Sequence, residues 1–96
     1  MTIGILGGTG PQGRGLTRRL AAAGHPVVIG SRSAEAQAAA AEYAGVGEVT
    51  GADNTTAAKA DLVIITVPYD GHADLLRTHA TELAGKIVVI LITDLP

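Results

Sequence analysis

The residues that decide the fold are MTIGILGGTGPQGRG, positions 1–15 of the chain. Met1–Leu6 is short and apolar, which is typical of a buried strand. The glycine-rich stretch that follows lets the backbone turn sharply and approach other groups closely. Pro11 suits the first position of a helix, because a proline there loses no hydrogen bond and its φ already matches the helix. We therefore predict a strand, a glycine loop and a helix in direct succession.

The predicted first helix continues to Gly24. Leu16 and Leu20 recur at helical spacing, and a glycine is a common residue just beyond the last turn of a helix. Gly13 lies early in this helix, on the side that we expect to face the strand. A side chain there would hold the helix away from the sheet, so we assign Gly13 a packing role.

Gly8, Gly10 and Gly13 match the spacing G-x-G-x-x-G. This motif binds dinucleotides when it follows a strand and opens a helix, because the unpaired N–H groups at the helix start hold the pyrophosphate. The sequence thus predicts a dinucleotide site in which Gly8 and Gly10 lie beside the ligand. The alternative is a glycine-rich turn that binds nothing.

Composition limits the other classes of function. The 96 residues make one domain, and 47% of them are hydrophobic while only 2% are aromatic, so the core must consist of aliphatic side chains and alanine. The net charge is -2 and there is no basic run, which argues against nucleic acid or a membrane surface as a partner. The chain has no cysteine and no apolar run of roughly 18 residues, so we expect a cytoplasmic protein without a membrane span.

Strand and helix patterns alternate along the rest of the chain. The predicted strands are 27–30, 46–52, 62–67 and 87–92, and the predicted helices are 34–44, 55–60 and 72–84, capped by Ser33, Asn54 and Asp70. Short βα connections of this kind imply a parallel sheet with right-handed crossovers. We predict an α/β fold, a three-layer Rossmann-like doubly wound parallel sheet of five strands in the order 3-2-1-4-5.

The fifth predicted strand, residues 87–92, lies at an edge of this sheet. The handedness of the crossovers places the first two helices on one face and the next two on the other. The fifth strand then lacks a helix over one face and a neighbour along one edge. A second domain, another subunit or a sixth strand would supply the missing partner, and we expect a homo-oligomer, a dimer or larger, that forms through this strand.

The end of the second strand selects the dinucleotide. Sites for NAD place an acid there for the ribose 2′-hydroxyl, but this chain has Ser31 and Arg32. A guanidinium offers a bidentate fork to a 2′-phosphate, Ser31 offers a hydroxyl, and Thr9 in the loop can add a third contact. We therefore predict NADP(H) as the cofactor. The alternative for Arg32 is an exposed loop cation.

These residues together resemble a known family. The matching stretches are Ile5–Leu16, Gly24-His25, Val28–Ser33, Val67-Pro68-Tyr69 and His72. They resemble the N-terminal domain of the NADPH-dependent reductases of coenzyme F-420, a 5-deazaflavin, over nearly the whole chain. The resemblance implies NADP contacts at Thr9, Gly10, Pro11, Gln12, Ser31 and Arg32, and a nicotinamide path along Val67, Pro68 and Tyr69.

The resemblance also implies an activity, hydride transfer between the reduced deazaflavin and NADP. The two cofactors carry that chemistry, so we expect no catalytic side chain. Family members continue for roughly another domain's length, and many have Asn-Pro-Leu where residues 93–96 read Thr-Asp-Leu-Pro. We expect residues 1–96 to be a single NADP-binding domain without the family's C-terminal part, which binds the cofactor but does not turn over alone.

Other polar side chains have weaker claims. Tyr69 follows the central fourth strand, at the edge where ligands bind in open α/β sheets, and is either a nicotinamide contact or a surface tyrosine. His72 begins a helix near the same edge, whereas His25 and His79 are predicted to be structural or solvated. No spacing of histidines and carboxylates is typical of a metal site, so we predict none.

Two other functions remain open. Gly7, Gly10 and Gly13 also match G-x-x-G-x-x-G, the spacing of extended short-chain dehydrogenases and their NADP-sensing relatives. Neither Tyr43 nor Tyr69 has a lysine four residues on, so within that class only a regulatory NADP sensor fits. The third possibility is a minimal or engineered dinucleotide fold that has no cofactor.

Overall fold

The computed structural model describes residues 1–7, 11–31, 35–66 and 76–90. Several sequence predictions lie outside these ranges, namely the caps Ser33 and Asp70, the last residue of the predicted fourth strand, Val67, and the last two of the predicted fifth strand, Leu91 and Ile92. In the described part of the chain, no helix has the length and apolar character needed to cross a membrane.

Strands and helices alternate as the sequence predicts. The strands are β1 (Ile3–Leu6), β2 (Val27–Ser31), β3 (Val49–Asp53), β4 (Leu62–Ile65) and β5 (Ile87–Ile90). The helices are α1 (Pro11–Ala22), α2 (Glu35–Ala41), α3 (Asn54–Ala57) and α4 (Ala80–Leu83). Residues 76–78 are also helical, but His79 interrupts the helix that the sequence predicts without a break over 72–84.

The five strands form one parallel sheet in the order β3-β2-β1-β4-β5, which confirms the predicted fold class and topology. Ile5 of β1 pairs with Ile29 of β2 and with Ile64 of β4. Since β1 connects to β2 on one side and the chain later crosses to β4 on the other, the strand order reverses beside β1. In open α/β sheets, ligands bind at the carboxyl ends of the strands at this point.

Glycines end the helical segments. Gly24 follows α1, Gly45 follows the turns after α2, and Gly85 follows α4, with φ values of 99°, 87° and 75°. Residues with a Cβ rarely adopt positive φ, so these positions require glycine. The predicted stops are confirmed, although α2 itself ends at Ala41, before the predicted residue 44.

The predicted cap of α3 is wrong. Asp53, not Asn54, is the N-cap residue: its carboxylate accepts a hydrogen bond from the Thr56 N–H at 2.7 Å. Asn54 is the first residue of the helix and is only 6% exposed. Its side chain is used elsewhere, as described below.

The two faces of the sheet carry different cores. On the α1 face, the buried residues Ile3, Ile5, Ala21, Val27 and Ile64 form one aliphatic cluster, and Ile29, Ala39 and Tyr43 form a second. On the α3 face, the cluster consists of Leu6, Ala57, Ala58, Val63, Ile65 and Leu83. Alternate residues of each strand point to opposite faces, so β1 contributes to both cores.

Within the described residues, strand β5 packs against a buried cluster on one face only. Val88 packs against the α3-face cluster, whereas Ile87 and Val89 are 67% and 38% exposed. The absence of a helix over the other face of the fifth strand stays a prediction. The register pairs Ile87 with Leu62 and Val89 with Ile64, so both exposed side chains extend the α1 face.

Candidate functional site

The strand reversal lies between the carboxyl ends of β1 and β4. β1 ends at Leu6 and continues into Gly7, while β4 ends at Ile65 and continues into Thr66. The Thr66 N–H donates to the Leu6 carbonyl at 3.1 Å, which extends the ladder between the strands by one step. The first residue of the glycine loop therefore lies at the topological switch point.

Gly7 turns the chain out of the sheet. Its φ is +68°, in the left-handed region that glycine adopts without strain. Its N–H donates to Oδ1 of the buried Asn54 at 3.3 Å, across 47 residues of sequence. The Thr66 hydroxyl lies 3.0 Å from the Gly7 carbonyl oxygen and 3.1 Å from that of Leu6. Side chains from α3 and from the end of β4 thus hold the start of the loop.

Helix α1 begins at Pro11, the position that the sequence predicts. Gln12 is half-buried and Gly13 is buried, as its proposed packing role requires. The Gly13 carbonyl accepts a hydrogen bond from the hydroxyl of Thr17 at 2.7 Å, and Thr17 is fully buried. The first turn of α1 is therefore closed on its inner side by its own residues.

Ser31 is the last residue of β2, one position beyond the predicted strand end. It is 8% exposed and pairs with Asp53 of β3 in the sheet register. The hydrogen bonds from Thr56 lower the pKa of the Asp53 carboxyl from its ordinary value of 3.8, and the charges of Lys59 and His79 act in the same direction. The carboxyl end of β2 thus presents a nearly buried serine beside a strand that ends in a carboxylate.

The structure describes four of the predicted site residues: Pro11, Gln12, Gly13 and Ser31. Pro11, Gln12 and Gly13 form the start of α1, and Ser31 ends the neighbouring strand β2. The other seven lie outside the described residues, as does His72: Gly8, Thr9, Gly10, Arg32, Val67, Pro68 and Tyr69.

Sequence reasoning missed Asn54 and Thr66 as members of this site. Thr66 carried a signal, because it is a polar residue that follows the apolar run 62–65 at the ligand edge of the sheet. The sequence signal at Asn54 was misleading, because asparagine is a common N-cap residue and Asn54 precedes a predicted helix.

A groove of about 250 Å³ lies between α1 and the turns after α2, lined by Arg14, Gly15, Arg18, Glu42 and Tyr43. The side chains that line it contact one another: Arg14 pairs with Glu42, and the Arg18 guanidinium lies 5.8 Å from the centre of the Tyr43 ring. The Tyr43 hydroxyl donates to the Arg14 carbonyl at 3.3 Å. These contacts join α1 to the segment that follows α2.

The described histidines lie away from the loop contacts. His25 is exposed between α1 and β2, and His79 is 7% exposed at the start of α4, where its Nδ1 lies 3.5 Å from Oε1 of Glu82. Within the described ranges, no group of three or more histidine, cysteine or carboxylate side chains could hold a metal ion.

Comparison with known proteins identifies the family. The family model described as NADP oxidoreductase, coenzyme F420-dependent, matches residues 2–92. The chain is 43% identical to an F420-dependent NADP reductase of Methanothermobacter marburgensis, over 93% of the chain and 43% of the relative. It is 42% identical to one of Methanocaldococcus jannaschii, over 93% of the chain and 44% of the relative. The chain spans less than half the length of these curated relatives. It belongs to the family of coenzyme F420-dependent NADP oxidoreductases.

Proposed function

We propose that residues 1–96 are the NADP(H)-binding domain of an F420-dependent NADP reductase. The observation that carries this proposal is the family match over residues 2–92, which covers the whole sheet and its glycine motif. The curated relatives carry the name of this activity and are more than twice as long as the matched segment. The hydride transfer therefore belongs to the complete protein.

The described residues fit such a cofactor. Gly7 has the positive φ that turns the chain away from β1, and α1 begins four positions later at the switch point of the sheet. A pyrophosphate binds at such a junction because the helix start offers unpaired N–H groups. We assign the pyrophosphate to residues 8–13, and the 2′-phosphate to Ser31, Arg32 and Thr9.

NADP supplies the carbon that exchanges hydride with the reduced deazaflavin. The protein has to hold the two rings in contact and exclude water, and it needs no acid or base for this step. We assign the nicotinamide to the backbone of Val67 and Pro68 and to the side chain of Tyr69, beyond the carboxyl end of β4.

Titration of the chain with NADPH and NADH tests this proposal. We expect NADPH to bind more tightly, and Arg32→Ala to weaken NADPH by about ten- to hundredfold while NADH changes little, because a charge-assisted hydrogen bond to the 2′-phosphate is lost. Arg19→Ala is the matched control, since Arg19 is an exposed cation on α1. Equal affinity for the two dinucleotides, or no binding, would contradict the proposal.

Addition of reduced deazaflavin with NADP separates the remaining functions. We expect the isolated chain to bind NADP without hydride transfer, because the relatives contain more than another domain's worth of sequence. Transfer by the full-length protein supports the reductase. Binding without transfer in the full-length protein would instead favour a regulatory NADP sensor.

We further propose that the chain forms a homo-oligomer through β5, in the cytoplasm. The support is the exposure of Ile87 and Val89 on a strand that, within the described residues, pairs with β4 alone. The solution mass should then exceed that of the 9.6 kDa monomer, and Ile87→Lys should reduce it to the monomer. A wild-type chain that stays monomeric at high concentration would contradict the interface. Imaging of a tagged chain tests the location.

A further inference from the structure

We propose that Asn54 and Thr66 are positioning residues for the dinucleotide. They act through Gly7, whose two backbone polar groups they hold, and so fix the point from which the glycine loop leaves the sheet. This inference rests on the proposed NADP(H) site and assigns to it two residues outside the glycine motif.

Each of the two side chains binds one of the two backbone polar groups of Gly7. Asn54 Oδ1 accepts from the Gly7 N–H at 3.3 Å. The single hydroxyl proton of Thr66 has two carbonyl oxygens within reach, at Leu6 and Gly7. The Leu6 carbonyl already accepts the Thr66 N–H at 3.1 Å, so Gly7 is the acceptor that needs the hydroxyl. Both polar groups of Gly7 are then bound to side chains.

Holding Gly7 determines how the loop begins. Three residues separate Gly7 from Pro11, the first residue of α1. Asn54 and Thr66 fix the peptide groups of Gly7 at one end of this stretch, and α1 packs against the sheet at the other. A backbone that is ordered before the ligand arrives loses less entropy on binding. Asn54 and Thr66 thus favour dinucleotide binding by fixing the backbone of Gly7 in advance.

Gly30 of β2 makes room for the Asn54 amide. A Cβ at Gly30 would lie 2.7 Å from Asn54 Oδ1 and 2.8 Å from the Ala57 Cβ. Both distances are shorter than a van der Waals contact allows. Gly30→Ala should therefore displace the amide from Gly7. The substitution leaves Asn54 in place but should act like the loss of its side chain.

Affinity for NADPH and the exchange rate of the Gly7 amide proton together test the inference. Asn54→Ala and Thr66→Val should each weaken NADPH by about three- to tenfold, the effect of losing one hydrogen bond. Asn54→Ala should also speed exchange at the Gly7 amide in the protein without ligand. Thr66→Ser keeps the hydroxyl and should bind NADPH as the wild type does.

Leu83→Ala is the control for a general loss of stability. Leu83 is buried in the α3-face cluster, so its truncation should destabilise the fold and leave the NADPH affinity of the folded protein unchanged. If the wild type binds NADPH and Asn54→Ala and Thr66→Val bind it equally well, the inference is overturned but the proposed function is not. An equal loss of NADPH affinity in Leu83→Ala would also overturn the inference alone. A wild type that binds no NADPH would overturn the proposed function, and the inference with it.

Discussion

The two faces of the sheet are packed by different means. On the α1 face, a helix of 12 residues covers branched aliphatic side chains of β1, β2 and β4. On the α3 face, the helix has only four residues and lies so close to β1 that a Cβ on Gly4 would be 2.0 Å from the Ala57 carbonyl oxygen. Both faces bury apolar side chains, but on the α3 face the backbone of a one-turn helix also lies directly against β1.

This difference follows from helix length. A helix of one turn is unstable by itself, because nucleation fixes several dihedral angles for few hydrogen bonds. Side chains therefore hold the N-terminus of α3 and the turn that follows the helix. Asp53 at the end of β3 binds its N-terminus, and the Lys86 ammonium before β5 donates to the carbonyls of Lys59 and Ala60 at 2.7 Å each. Helix α1 is three turns long and combines contacts to Glu42 and Tyr43 with its aliphatic packing on the sheet.

Gly4→Ala should have the largest effect, because it tests the close contact on the α3 face. The new methyl group would meet the backbone of α3, which cannot move aside as a side chain could. We expect a loss above about 3 kcal/mol in the free energy of unfolding, at the upper end for overpacked sites. Denaturant titration measures it. Gly15→Ala in α1, where a Cβ meets nothing within 4 Å, should instead stabilise by up to about 1 kcal/mol.

Comparison of Ile5→Ala with Ile87→Ala tests how burial on the α1 face changes from the centre of the sheet to its edge. Ile5 is fully buried at the centre, whereas Ile87 at the edge is 67% exposed. Truncation of a buried isoleucine costs about 2–5 kcal/mol, and an exposed site usually changes stability by less than about 0.5 kcal/mol. Denaturant midpoints at a concentration where the chain is monomeric give both values. Similar losses at the two positions would contradict the exposure of Ile87 in the monomer.

Lys86→Met tests the hydrogen bonds from Lys86 to the turn that follows α3. We expect a loss of about 1 kcal/mol, since two carbonyls lose a charged donor near the protein surface. Lys59→Met removes the same charge from an exposed side chain but keeps the Lys59 carbonyl. If both variants lose the same stability, net charge and not the hydrogen bonds would explain the result.

The smallest effect should be the pH dependence that Asp53 contributes. The Thr56 hydrogen bonds keep its folded-state pKa below 3.8, so the ionised carboxylate stabilises the fold above that pH. This contribution is lost as pH falls through the folded-state pKa. Asp53→Asn retains a cap acceptor but does not titrate. Its melting temperature should therefore fall less steeply than that of the wild type between about pH 5 and pH 2, and parallel curves would contradict the assignment.

Much of the fold could be predicted from local patterns. The strand and helix order, the start of α1 at Pro11 and the stops at Gly24, Gly45 and Gly85 depend on residues close in sequence. The break at His79 in the last helix could not be predicted in this way, since alanine, leucine and threonine continue across it without a proline or glycine. Within the candidate site, the glycine motif and Ser31 could be predicted, because their residue types and positions have a known binding chemistry.

The sequence by itself determined the parallel sheet and its strand order, because apolar periodicity and glycine positions mark strands and helices over a few residues and short connections require right-handed crossovers. Only the tertiary structure decided that Asp53 caps α3 while Asn54 binds Gly7. Either residue can cap a helix, and the choice depends on a glycine loop 47 residues away. The role of Thr66 likewise depends on β4 lying beside β1, which brings together groups 59 residues apart. Such pairings follow from distances that exist only after the sheet has formed.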